Sequence, residues 1–460
     1  MQLHKNQQLE LTIDSFGAQG EGIARVDGMP VFIPQVLPGE RARVQIVKVD
    51  KRFAFGRAME VLQASPQRRE PLCPYYVQCG GCVCQHMSYE AQLDFKRNQV
   101  EGCLRHIGGI EAEVAPVLGM DAPWHYRNKI SMPVSGTAGA PAIGYYAQRS
   151  HRVVDVHSCL LSCDAADRAG AAVRQWMVEQ RIPPYNEESH TGLVRHIMTR
   201  VNRQGQLMLV LVINGRLIKK QKELLDCVHA AVPELVSLCV SPNEKRGNVI
   251  LGDSYQVLWG QERLEDTLCG NRFLLSPLSF FQVNPAQTEK LYHTALDFAA
   301  LTGNETVADL YCGAGTISLL LARKAAHVTG VEIVPDAIRD AKENARRNGS
   351  GNADFLCGPA EQILPQLVEE GMRPDVIVLD PPRKGAEPAV LSAILACAPR
   401  RVVYVSCNPA TPARDAKLLC AGGYQPLRCQ PVDMFCQTAG IENVLLLTKA
   451  EPASRISNFS

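Results

Sequence analysis

The chain has 460 residues, a formal net charge of +1, 46% hydrophobic residues and 21% charged residues. This is the composition of an ordinary soluble protein of two to four domains, and its most apolar runs, such as LMLVLVING at 207–215, are far short of the ~20 residues a membrane helix needs. Its 17 cysteines are too sparse for a disulfide scaffold. In a reducing compartment they are expected to be buried, catalytic or metal-bound. The polar opening MQLHKNQQLE is no secretory signal, so a cytoplasmic protein is expected.

Residues 8–63 alternate in a strand-like way between turns at Gly17, Gly20, Gly22, Gly28 and Pro38-Gly39, which predicts a small barrel of the OB type. Its second half, RARVQIVKVDKRFAFGR, carries six basic residues against one acid, with Phe53 and Phe55 among them. Basic side chains interleaved with aromatics suit a single-stranded nucleic acid, whereas a solvated face over a barrel core is the plainer reading. A polar linker, ASPQRREP at 64–71, follows.

Next comes CPYYVQCGGC, which places Cys73, Cys79 and Cys82 in a C-x5-C-x2-C arrangement. The two glycines let the backbone turn so that the thiols converge. Zinc or an iron–sulfur cluster would each want a fourth ligand. Cys159 in VDVHSCLLSC is the better candidate and Cys163 the runner-up, because Cys84 would crowd the same centre. A helix is expected over 88–106. Strands near 126–134, 142–147, 207–213 and 249–258, and helices near 164–180 and 219–231, make residues 125–275 a mixed region. Arg127 and Lys129 suit either RNA contact or a charged surface.

From residue 286 onward helices and strands alternate, which predicts a mostly parallel sheet flanked by helices. In ETVADLYCGAGTISLLLARKAAHVTGVEI, a strand over 307–310 carries Asp309 near its end. Gly313-Ala314-Gly315 turn the chain into a helix, and the next strand ends at Glu332, a carboxylate suited to the two hydroxyls of a ribose. No third glycine follows, so there is no cradle for a pyrophosphate. That disfavours a nicotinamide-dependent oxidoreductase and favours a nucleoside such as S-adenosylmethionine. PDVIVLDPPRKG ends a further strand in Asp380-Pro381-Pro382-Arg383, and VVYVSCNPAT ends another in Cys407. A lone cysteine is more often core filler than nucleophile. Here the strand tips present Asp309, Glu332, Asp380 and Cys407 in turn, on the edge where such sheets bind ligands, and this favours a nucleophile.

Taken together, WHYRNKI, FFQVNPAQTEKLY, DLYCGAGT, DPPRKG, YVSCNPAT and MFCQTAGIEN, with the barrel and the C-x5-C-G-G-C cluster, resemble the RNA uracil-C5 methyltransferases over nearly the whole chain, and specifically the 23S ribosomal RNA branch. The resemblance implies an α/β fold: a Rossmann-like S-adenosylmethionine-dependent domain at 276–460, an OB-like TRAM domain at 1–63, and a central α+β domain at 64–275. In that central domain Cys73, Cys79, Cys82 and Cys159 would hold a [4Fe-4S] cluster, and residues 85–116 would pack back on the catalytic domain. It implies cofactor contacts at Gln282, Tyr311, Thr316, Glu332 and Asp380, Cys407 as nucleophile and Glu442 as general base. The implied partner is RNA, with the chain acting as a monomer away from membranes. Transfer-RNA members commonly lack barrel and cluster, so 23S ribosomal RNA is the expected target. A transfer-RNA methyltransferase and a non-catalytic iron–sulfur RNA-binding protein are the alternatives. The chain departs from the family in FCQTAGIE, where Cys436 and Gly440 stand in place of the usual proline and histidine.

Overall fold

The computed structural model describes residues 3–450. Six strands form the N-terminal sheet, in the order Gln8–Thr12, Arg41–Val49, Ala54–Gln63, Met29–Ile33, Gly22–Val26 and Ser15–Phe16. Arg41–Val49 and Ala54–Gln63 slip register three times along their pairing, and such bulges bend a sheet around its own core. That core is aliphatic, with Val31, Ile33, Val44 and Ile46 fully buried. Gly56 is required there, since a Cβ would lie 2.5 Å from Val44 Cγ1.

The central sheet has seven strands, with Lys129–Thr137, Val194–Val201, Leu207–Ile213 and Leu235–Pro242 as its middle. The expected strand at 207–213 is present, and every residue in it is buried. Helices Asp164–Glu179 and Gln221–Ala231 pack with it around the fully buried Trp176. The strand expected at 249–258 is shorter, Gln256–Gly260. Upstream of it, the Asn243 side-chain amide donates to the carbonyls of Val249 and Ile250 at 2.7 and 2.9 Å. Those acceptors are satisfied by a side chain rather than by a ladder, which is how asparagine competes with regular structure.

The C-terminal sheet has eight strands in the order Ala353–Cys357, His327–Glu332, Thr306–Leu310, Val376–Leu379, Arg401–Ser406, Glu442–Lys449, Tyr424–Val432 and Glu113–Val114. The first five are parallel, and Glu442–Lys449 runs antiparallel to both its neighbours. The strand order reverses beside Thr306–Leu310, and the carboxyl ends of the parallel strands at such a switch point are where open α/β sheets bind ligands. The helix expected over 88–106 runs from Tyr89 to Cys103, capped by the Ser88 hydroxyl, and widens into a π-turn at Leu104–Gly108. The chain then adds Glu113–Val114 to the edge of the C-terminal sheet, beside Arg428 and Cys429. Among the described residues no helix is long and apolar enough to cross a membrane.

Candidate active site

The candidate site is built where strands stop. After Thr306–Leu310 the backbone turns through Tyr311, Gly313 and Gly315, with φ of +65°, +55° and +79°. Glycine takes this left-handed region freely, whereas Tyr311 is held there at a cost that commonly marks a functional turn. Gly315 has a second reason to be glycine: a Cβ would stand 3.1 Å from the Phe355 ring. The half-buried Glu332 carboxylate closes the turn, accepting from the Gly313 N–H at 3.2 Å and the Val334 N–H at 2.9 Å. A carboxylate has about four lone-pair sites, so capacity remains for two hydroxyls.

Asp309 is 1% exposed. Its Oδ2 accepts the Ser318 hydroxyl at 2.5 Å, and its Oδ1 has no protein partner. Burial pushes this carboxyl up to about 7, against the Ser318 hydrogen bond and with the help of the Asp380 charge. Burial also pushes Asp380, one residue past Val376–Leu379, up to about 7. Thr316 shares a 3.0 Å hydrogen bond with the Tyr292 hydroxyl. Gln282 is half-buried on the segment joining Asn271–Leu275 to the helix Pro285–Ala299.

Cys407 is half-buried and follows directly on Arg401–Ser406. The last ladder pair of that strand is Ser406 with Asn443, and the Asn443 amide donates to the Ser406 carbonyl at 2.9 Å. Continuing this antiparallel register by one residue places Cys407 opposite Glu442. The reversal of one strand thus brings a residue at a strand start and a residue just past a strand end to the same edge. Glu442 is 4% exposed. Burial, then the Asp380 charge, raise its carboxyl well above the ordinary range, while the Arg383 guanidinium opposes them. The Cys407 thiol is raised by burial first and by Glu442 second, and Arg383 again pulls the other way.

Arg383 of DPPRKG, to which the sequence by itself assigns no role, is a cation acting on both Cys407 and Glu442. The loop carrying it is tied to the cysteine turn by the Asn408 amide, which donates to the Arg383 carbonyl at 3.1 Å. Behind both loops, buried Asp415 accepts from the Tyr404 hydroxyl at 2.7 Å and from the Ala386 N–H at 2.9 Å. Sequence alone offered no signal for Tyr404 or Asp415 beyond strand and helix periodicity.

Away from these strand tips, Cys73, Cys79, Cys82 and Cys159 line one cavity of about 340 Å³. Each of Cys73, Cys79 and Cys82 is raised mainly by burial, and the charge of Cys159 acts on all three. Cys163 and Cys84 are absent from the lining. Arg127 and Lys129 stand in its wall, and burial lowers Lys129 to about 8. Among the described residues no three His, Cys, Asp or Glu side chains are gathered tightly enough for a single metal ion.

A Rossmann-like parallel sheet, with a glycine turn after Thr306–Leu310 and an acid ending His327–Glu332, fits the class of S-adenosylmethionine-dependent methyltransferases. Residues 301–418 match the model of a methyltransferase domain, and residues 2–59 match the TRAM domain. An RNA methyltransferase of Halalkalibacterium halodurans is 48% identical over 97% of this chain and 98% of its own length. One of Listeria monocytogenes is 47% identical over the same shares. The crystal structure of the Pyrococcus abyssi tRNA (uracil-54, C5)-methyltransferase, in complex with S-adenosyl-L-homocysteine, superposes with a TM-score of 0.77 and 25% identity. That match covers 96% of this chain and all of the other. The chain belongs to the RNA methyltransferase family. Its TRAM and methyltransferase domains and its structural neighbour fit the uracil-C5 branch. It is an S-adenosylmethionine-dependent enzyme, and the non-catalytic alternative is set aside.

Proposed function

We propose that the enzyme methylates carbon 5 of a uridine in 23S ribosomal RNA through a covalent adduct on Cys407. The observation that carries this reading is the placement of Cys407 opposite Glu442, with Asp380 and Arg383 acting on both. Carbon 5 of uracil is a poor nucleophile. The Cys407 thiolate adds to carbon 6, forming a C–S bond and an enolate. Carbon 5 then takes the methyl group from the sulfonium, releasing S-adenosylhomocysteine. Glu442 removes the carbon-5 proton, the C5–C6 double bond re-forms, and the C–S bond breaks. Arg383 favours the thiolate and offsets the negative charge gathered around it. The uridine must leave its stack to present both ring faces, at a cost of a few kcal/mol. The barrel, with its basic strands, supplies phosphate contacts towards that cost.

Glu332 is the ribose ligand in this reading, with Gln282, Tyr311, Thr316 and Asp380 as further cofactor contacts. Glu332→Ala is expected to weaken S-adenosylmethionine binding by about 1.5–3 kcal/mol while leaving RNA affinity in place. Calorimetry with unchanged cofactor affinity would remove Glu332 from the site.

The thiol cavity suits a [4Fe-4S] cluster held by Cys73, Cys79, Cys82 and Cys159. All four thiols line one cavity, and Arg127 and Lys129 in its wall offer counter-charge to an anionic centre. Bound there, a cluster would staple the 73–82 loop to the Cys159 segment. Protein purified without oxygen is expected to be brown with about four irons per chain, and Cys79→Ser or Cys82→Ser to be colourless. Stoichiometric zinc without iron would overturn this assignment.

A uridine in transfer RNA is the second reading. The Pyrococcus transfer-RNA enzyme is matched over its full length, so a chain of this extent, barrel included, is not reserved for ribosomal targets. Mass mapping of 5-methyluridine in cells lacking the enzyme decides. Loss from 23S RNA alone supports the first reading, loss from transfer RNA alone supports the second, and loss from neither overturns both.

A further inference from the structure

Glu442 begins a strand, and the preceding loop, residues 433–441, closes the hairpin whose last pair is Val432 with Glu442. This loop contains the FCQTAGIE departure. It is held mostly by groups from outside the catalytic domain. Lys96, on the helix Tyr89–Cys103, forms an ion pair with Asp433 at 2.5 Å, and both side chains are fully buried. The same ammonium donates to the Phe435 carbonyl at 3.1 Å, and the Tyr89 hydroxyl donates to Asp433 Oδ2 at 2.8 Å.

One turn away, the Gln92 and Gln437 amides pair. Gln92 Nε2 donates to Gln437 Oε1 at 3.0 Å, and the Gln437 N–H donates to Gln92 Oε1 at 3.2 Å. Gln437 has φ of +67°, a conformation a glutamine keeps only when its surroundings impose it. Its carbonyl accepts from the N–H groups of Val83 and Cys84, at 3.0 and 3.1 Å, directly after Cys82 of the thiol cavity. The Tyr126 hydroxyl donates to the Cys436 carbonyl at 3.0 Å. A loop needing only to connect two strands would be solvated. This one is buried and pinned by a charge pair that is costly to bury.

We infer that Lys96 and Gln92 are positioning residues for Glu442, forming with the Val83–Cys84 backbone a clamp that fixes the 433–441 loop and hence the stance of the base. The inference rests on the covalent reading proposed above. The clamp also ties the thiol-bearing segment physically to the base.

Removing one partner of a buried ion pair risks unfolding, so the variants are Gln92→Met and the paired Lys96→Met/Asp433→Leu, which leaves no unpaired charge. RNA bearing 5-fluorouridine reports on attack and methyl transfer without the base, because fluorine cannot leave as a proton does. RNA bearing uridine needs the base as well. Both variants are expected to capture 5-fluorouridine RNA at the parent rate, while uridine turnover falls about tenfold or more and the uridine adduct persists. Amides of 433–441 are expected to exchange about tenfold faster by mass spectrometry.

Unchanged uridine turnover would overturn the inference. So would a parallel fall in capture and turnover, the mark of a merely structural role. Failure of the parent enzyme to capture 5-fluorouridine RNA would sink the covalent reading by itself, and the exchange of the loop would then decide the clamp alone.

Discussion

Cys407→Ala is expected to bind RNA and S-adenosylmethionine with near-parent affinity and to transfer no methyl group. Loss of a covalent nucleophile typically costs on the order of 10⁴-fold or more in turnover, since the groups around it cannot perform the displaced step. The side chain is half-buried at a strand rim, so the substitution opens little cavity and the melting temperature should barely move. A denaturing gel with labelled RNA should lose every shifted band. A full-rate Cys407→Ala enzyme would return this cysteine to a packing role and remove the mechanism.

Glu442→Gln should fail at a later step. Attack and methyl transfer proceed, proton removal does not, and RNA that already carries the methyl group stays bonded to Cys407. The gel should show a shifted, methyl-bearing band that decays slowly, with turnover down by about 10²–10⁴-fold, the usual contribution of a general base. An inactive variant without the band would point to Glu442 acting before the adduct forms.

The pH behaviour follows from the same environment. In the covalent reading proposed above Glu442 and Cys407 both act deprotonated, and burial raises both above their ordinary values, so parent turnover should rise with pH through neutrality. The stability effect has the opposite sign. A carboxyl raised in the folded state binds its proton more tightly there than in the unfolded chain. Its stabilising contribution is therefore present at low pH and lost as pH rises through the folded value. Glu442→Gln should accordingly melt above the parent at alkaline pH and close to it in acid. Equal melting curves at both would mean that the carboxyl is not raised.

Much of this site is local in origin, and so it was legible in the order of residues. Asp309, Glu332, Asp380 and Cys407 each stand at or just after a short apolar strand, and the turns after Asp309, Asp380 and Cys407 contain glycine or proline. Turn chemistry acts within a few residues, so strand tips can be read without knowing their neighbours. The division into an N-terminal all-β module and a C-terminal alternating region is visible for the same reason, and both halves match known domains.

What the sequence could not settle depends on register, on which strand reverses, and on pairs far apart in the chain. Only a family resemblance points to Glu442, since nothing in its own stretch says that its strand runs antiparallel and meets Ser406 at Asn443. Lys96 reads as one more charge on a polar helix until Asp433, 337 residues away, is brought against it. Residues 249–255 carry no ladder because the Asn243 side chain takes two of their carbonyls, a competition invisible to periodicity. Local propensity thus determined the strand tips and the turns that follow them. Only tertiary packing could set Glu442 opposite Cys407, because that depends on the direction and register with which Glu442–Lys449 pairs with Arg401–Ser406.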